Sequence, residues 1–310
     1  MVYHIVWKSN FDERKANRMK LTARTKGILL MILSEVSMAM MSVAVKKTGG
    51  AISAFEQVFF RNVVIVLVLG TILILQKKPL MGPAKYQLPM FGRSLFGIVG
   101  VVLSFLATAA GNTADVTILS KLAPFLITLF GVLFLKEKLS KIQIPALLLA
   151  FTGAFVVANP KFNTDMYPVV MALLCSVVSS VAYTLVSYLK GKAEPLSIVM
   201  HLGVVSVALM IPAMLLTDGF VMPAGEQWIW LLLIGVFGTA GQVCLTYAYK
   251  LAAASEVSVF SNTSIIFAAV LGYLLLDQSV ALNTVIGGGL VLLAVLLVYL
   301  FGHRKKKEQA

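Results

Sequence analysis

The sequence predicts an all-α integral membrane fold: ten transmembrane helices set as two inverted-topology five-helix repeats, with both termini cytoplasmic. Three observations predict it. Of the 310 residues, 59% are hydrophobic and only 13% charged, with mean hydropathy +0.92, which takes the chain out of the soluble globular class. Residues 97–139 align without a gap onto residues 238–280, setting Gly97 on Gly238, Gly100 on Gly241, Ala107 on Ala248, Val116 on Val257, Ser120 on Ser261 and Gly131 on Gly272. The hairpins closing the two copies differ in charge: Lys136, Glu137, Lys138 and Lys141 in the first, Asp277, Gln278, Ser279 and Val280 in the second. Basic loops stay cytoplasmic, so the copies face opposite ways.

Residues 1–26 open the chain as a basic cytoplasmic tail, partly disordered, carrying Lys8, Arg14, Lys15, Arg18, Lys20, Arg24 and Lys26. A cleavable signal would need an apolar stretch there. Spanning takes about 20 mostly apolar residues, and ten stretches supply them: 27–45, 55–75, 88–110, 114–135, 142–158, 168–189, 195–216, 228–250, 255–276 and 281–301. Pro168 and Pro195 stand where a helix starts, and Trp228 and Trp230 suit a membrane interface. Glu56, Asp115 and Glu256 open helices, where a carboxylate complements the helix dipole and stays at headgroup level. Residues 302–310 close the chain as a second basic tail.

This gives a first five-helix unit at 27–158 and a second at 168–301. An odd number of spans per unit inverts the second one. The lysines and arginines agree: twenty fall in the tails and the loops of one side, while the other side holds only Lys46, Lys47 and Lys161. The earlier helices also correspond, with Lys46 matching Lys190. Gly97 with Gly100, Gly238 with Gly241, and the run Gly287, Gly288, Gly289 let backbones approach where lipid offers no hydrophobic drive.

The net charge of +13 is topogenic rather than a nucleic-acid footprint, because the basic residues sit in tails and alternate loops. Cys175 and Cys244 fall inside apolar segments and read as packing residues, with neither a disulfide framework nor a thiolate metal site.

The segment from Ala114 to Val157, with Lys121, Leu122, Ala123, Pro124 and then Phe134, Leu135, Lys136, Glu137, Lys138, Leu139, resembles the EamA-type ten-helix members of the drug/metabolite transporter superfamily. The second half follows the same pattern, with Ala248, Tyr249, Lys250, Leu251 leading into Ala254, Ser255 and a helix ending at Leu276 and Asp277. It departs at Ile265, where the repeat has a proline, and at Gln278, where it has an acid. The resemblance spans roughly residues 27–301 and implies a multi-pass transporter of the cell (cytoplasmic or inner) membrane; fold class is implied firmly, substrate hardly at all. A narrower echo, Ile32, Leu33, Ser34, Glu35, Val36, resembles the small multidrug resistance family, in which a single buried glutamate binds protons and substrate competitively.

An ionisable side chain in hydrocarbon costs roughly 3 kcal/mol on insertion scales, so each one is a functional candidate. Glu35 lies about 13 Å in from the cytoplasmic edge at 1.5 Å per residue, and Arg61 and Lys121 about 9 to 12 Å in from the outer edge. At those heights the three can meet between the halves, two positives against one negative, which favours an anionic or zwitterionic substrate. A structural ion pair is the competing reading, although it leaves the surplus positive charge unexplained. Glu35 is the candidate proton-coupling residue. Arg93, about five residues inside its helix, reads as a snorkelling side chain, as does Lys250. His201 reads as a packing histidine, and without further ligands it makes no metal site.

Asn262 occupies the repeat position of Lys121 and, with Gln242, Thr263 and Ser264, offers neutral hydrogen bonds from the second half. Tyr183, Tyr247 and Tyr273 either stack on a substrate or pack. The substrate-binding candidates are therefore Arg61, Lys121, Asn262, Gln242, Tyr183 and Tyr247.

The functional expectation is a secondary active transporter moving a small polar metabolite, an amino acid or organic anion or zwitterion, by alternating access with proton-coupled export or exchange. A lipid or lipid-linked flippase of the same fold and cationic drug efflux are the alternatives. No catalytic constellation points to an enzyme, and no phosphate loop points to ATP hydrolysis. The expected partners are the small-molecule substrate, protons and the lipid bilayer, with no nucleic acid and no cofactor; a homodimer stays open.

Overall fold

A computed structural model describes residues 2–48, 52–123, 125, 126, 129, 142–159, 165–189, 191–217, 220–251 and 260–301. Among these residues the chain is all-helical, with ten α-helices: α1 (Val2–Thr48), α2 (Ala54–Leu75), α3 (Gln87–Ala110), α4 (Thr113–Ser120), α5 (Gln143–Ala158), α6 (Tyr167–Leu189), α7 (Pro195–Leu216), α8 (Gln227–Leu251), α9 (Thr263–Leu276) and α10 (Leu282–Phe301). Short 3₁₀ segments, Ala84–Tyr86 and Phe260–Asn262, precede α3 and α9. Seven of the helices are long and apolar enough to cross a membrane. Large apolar side chains such as Leu67, Leu75, Leu88, Leu148, Leu216 and Leu282 face outward, which lipid tolerates and water does not.

Two sequence expectations need correction here. The basic segment 2–24 continues α1 as helix instead of forming a partly disordered tail. The fourth stretch, expected as one helix over 114–135, is interrupted after Ser120: Lys121 is the C-cap of α4, Lys121 and Leu122 form a turn, and helical backbone resumes at Ala123. Pro124 gives the chemical reason, since it has no N–H to offer the carbonyl four residues back. The hairpin at Lys136, the helix start at Glu256 and residues 302–310 lie outside the described residues.

Local chemistry sets the boundaries. Ser53 caps α2 by accepting the amide of Glu56 at 3.2 Å, and Asn112 caps α4 by accepting that of Ala114 at 2.9 Å. Pro195 opens α7. Several hydroxyls in the spans bond back to the preceding turn, as Ser37 does to Leu33 and Thr246 to Gln242, both at 2.8 Å, which satisfies those O–H groups within their own helix.

Each major pairing of helices has a counterpart in the other half. α1 packs on α8 and α9, as α6 packs on α3 and α4; α2 packs on α8, as α7 packs on α3; and α2 meets α7, α4 meets α9 and α5 meets α10. Small residues set the crossings. A Cβ on Gly153 of α5 would lie 2.7 Å from the carbonyl oxygen of Gly287 on α10, so these backbones are in contact. Gly288 meets Ile118 of α4, while Gly289 faces open space.

Polar ties gather the loops at the two ends. At one end Lys46, near the end of α1, donates to the carbonyls of Ala109 (2.7 Å) and Gly111 (2.9 Å) at the C-terminus of α3. Gln278, after α9, accepts from the amide and hydroxyl of Thr113 at 3.0 and 2.8 Å, and Asn112 donates to Ser279 at 3.2 Å. Thr284 donates to Asp115 at 2.6 Å, Asn283 to Val157 at 3.3 Å, and Val221 to Glu56 at 3.3 Å. Thus α4 begins where α9 ends. At the opposite end Lys78 pairs with Glu194 at 2.8 Å, and Ser197 donates to the carbonyl of Pro79.

Candidate functional site

Between the halves lie charges that no lipid-facing position would tolerate. Glu35 of α1 is 5% exposed, and its carboxylate meets the Lys121 ammonium at 3.3 Å. Lys121 reaches this point because α4 stops at Ser120. At the break the Leu119 carbonyl accepts from the Leu122 amide at 3.2 Å and from the Ser176 hydroxyl of α6 at 2.7 Å.

Arg61 of α2 is 4% exposed. Its chain lies over Gly238 of α8, with Nε 2.9 Å from where a Cβ would stand, and beside Met41 of α1. The neighbouring Asn62 donates to Val58 at 2.8 Å and to Ser206 of α7 at 2.9 Å, fixing this turn of α2 against the second half. Arg93 of α3 is 6% exposed and lies across Gly97, one Nη 2.9 Å from a notional Cβ. It does not snorkel, contrary to the sequence expectation: Gly97 supplies the groove that lets it turn inward. Gly97 and Gly238 are the repeat-equivalent pair, so each buried guanidinium rests on the same glycine of opposite halves.

Tyr183 of α6 joins these groups. Its phenol lies within electrostatic range of Arg93, Arg61 and Glu35, and the residue as a whole is 46% exposed. Behind Arg93, His201 of α7 bonds through Nδ1 to the Ser94 hydroxyl at 2.8 Å, so this histidine does pack as a satisfied buried group.

The other candidates fall elsewhere. Asn262 is buried at the junction of the 3₁₀ segment and α9, and thus marks an interruption at the position equivalent to Lys121. Gln242 is half-buried on α8. Tyr247 packs against the apolar cluster of Ile65, Leu69, Leu73 and Leu196, and Tyr273 is 64% exposed on the outer surface. Glu56 opens α2, in its first turn, and is buried there with its carboxylate accepting the Val221 amide at 3.3 Å. The signal that could have found Arg93 was its glycine four residues on, at the position where the repeat also places a glycine.

A family model described as the EamA-like transporter family matches residues 25–159 and again residues 166–300. The pseudopaline exporter CntI of Pseudomonas aeruginosa is 32% identical over 274 residues, covering 86% of this chain and 94% of that protein. An uncharacterized transporter of Helicobacter pylori is 28% identical over 88% of this chain and 94% of its own length, and solute carrier family 35 member G1 of Mus musculus is 25% identical over 78% and 69%. A solved crystal structure matches with TM-score 0.65 at 18% identity, over 92% of this chain and 99% of that one, which speaks for the fold alone.

Proposed function

The chain belongs to the EamA-like transporter family and is a multi-pass membrane transporter, not an enzyme; on that footing we propose that it is a secondary active carrier exporting or exchanging a small anionic or zwitterionic metabolite by alternating access. The observation that carries this reading is the Glu35–Lys121 pair in the interior, with Arg61 buried nearby and no carboxylate on that guanidinium among the described residues. A neutral packing role would leave no surplus cation. Export as the direction takes support from the relative named as an exporter.

Alternating access draws on the architecture. We read residues 27–158 and 168–301 as two five-helix repeats of inverted topology, ten spans in all, flanked by cytoplasmic tails at 1–26 and 302–310. Loops after α1, α3, α5, α7 and α9 are tied together at one end, and α4 starts where its repeat partner α9 finishes. The basic loop at Lys77 and Lys78 lies at the other end, which the charge rule assigns to the cytoplasm. Inverted repeats of this kind build one central site that opens to either side.

Flux into proteoliposomes tests the reading, with Lys121→Ala and Arg61→Ala compared on anionic, zwitterionic and cationic solutes. The expected outcome is a loss for anions at least tenfold greater than for cations. Equal losses for both charge types make these residues scaffolding, and flux confined to lipid-linked solutes favours a flippase.

A further inference from the structure

We infer that Arg61 and Arg93 together form one anion subsite, separate from Lys121, and that the substrate brings a compact dianionic group to it. This deepens the carrier reading above and rests on it. Within the interior Glu35 already neutralises Lys121, which leaves two guanidinium groups, 4% and 6% exposed, on the helices α2 and α3, which pack on each other. Among the described residues neither has a carboxylate partner. Three of their nitrogens, Nε of Arg61 and Nε and one Nη of Arg93, are buried with no hydrogen-bond acceptor among the described residues.

Two like charges side by side in a low dielectric are held apart from water at a large cost, and a fold that keeps them needs a counter-charge for at least part of its cycle. No protein group described here supplies one. A guanidinium offers planar, forked donors that match carboxylate or phosphate oxygens two at a time, so the open nitrogens specify both sign and geometry. Tyr183, within electrostatic range of both arginines and 46% exposed, is the side chain through which an entering ligand meets them. The glycines complete the device. Any side chain at Gly97 or Gly238 would strike the arginine lying on it, 2.9 Å from a notional Cβ in each case.

Dianion chemistry arises from two carboxylates or from a phosphate monoester, and the experiment separates them. Full-length purified protein is titrated with succinate, glycerol phosphate, propionate and choline, reading thermal stabilisation, for the unmodified chain and for Arg61→Gln, Arg93→Gln and Arg93→Lys. The expected result is that one dianion class binds at least tenfold more tightly than propionate, and that Arg93→Gln removes the preference while the ligand-free melting temperature holds or rises. Arg93→Lys keeps the charge without the fork and retains only part of the preference. Should Arg93→Gln fail to fold, the same loss is read on Arg61→Gln. Equal binding of propionate and both dianions overturns the inference, as does a lowered ligand-free melting temperature with the preference intact. Proteoliposome flux runs alongside: dianion binding without flux refutes the carrier reading alone, whereas flux indifferent to substrate charge refutes only the subsite.

Discussion

The carboxylate of Glu35 and the ammonium of Lys121 meet at 3.3 Å, joining α1 of the first half to the point where α4 is interrupted. Because both side chains are largely shielded from solvent, this pair couples the position of the break to the charge at the centre.

That coupling is measurable. In a double-mutant cycle of Glu35→Gln and Lys121→Met, read by thermal unfolding, each single change leaves one charge stranded and the double change restores neutrality. The expected coupling energy is about 0.5–3 kcal/mol. Additive losses would mean that the two groups do not interact.

Glu35→Gln also removes the titratable proton while keeping the side chain's shape. Flux driven by a pH gradient should fall to the level of an uncoupled carrier, with counterflow of labelled substrate retained. An unaltered pH dependence in this variant would refute the coupling role.

The contact between α5 and α10 yields a packing prediction with its own control. Gly153→Leu forces a side chain into the backbone of Gly287 and should cost about 1–3 kcal/mol. Gly289→Ala, on the same helix as Gly287 but facing open space, should change stability by less than about 1 kcal/mol, on the stabilising side. Thermal melts of the two variants decide it.

The ties between Thr113 and Gln278 and between Asn112 and Ser279 close one end of the molecule. With Cys175 and Cys244 replaced by alanine, a short thiol crosslinker between Asn112→Cys and Ser279→Cys should stop flux in either direction while substrate still binds from the other side. Continued transport by the crosslinked protein would show that this end does not open during the cycle.

Much of this was legible in the chain, for identifiable reasons. Glycines at Gly97 and Gly238 exposed the duplication because an arginine side chain lies against the place of a Cβ at each. Glu35 and Lys121 stood out because charge is costly in hydrocarbon, and their estimated depths put them within reach of each other. The break after Ser120 was hidden: an apolar run reads the same whether its helix is whole or interrupted, and only Pro124 hinted at it. Arg93 was misread because depth was counted along the helix axis, whereas its burial depends on which face Gly97 opens. Tyr247 was proposed for the site on chemistry shared with Tyr183, but the side of the helix on which a tyrosine falls decides between lining a cavity and filling a core.

The hydroxyl of Ser176 that covers the Leu119 carbonyl has a mechanical consequence. Drawing α6 away from α4 breaks that bond and leaves the carbonyl only the Leu122 amide at 3.2 Å, which favours the two segments travelling together as a single lever. Relative sliding is left to surfaces where no such bond crosses.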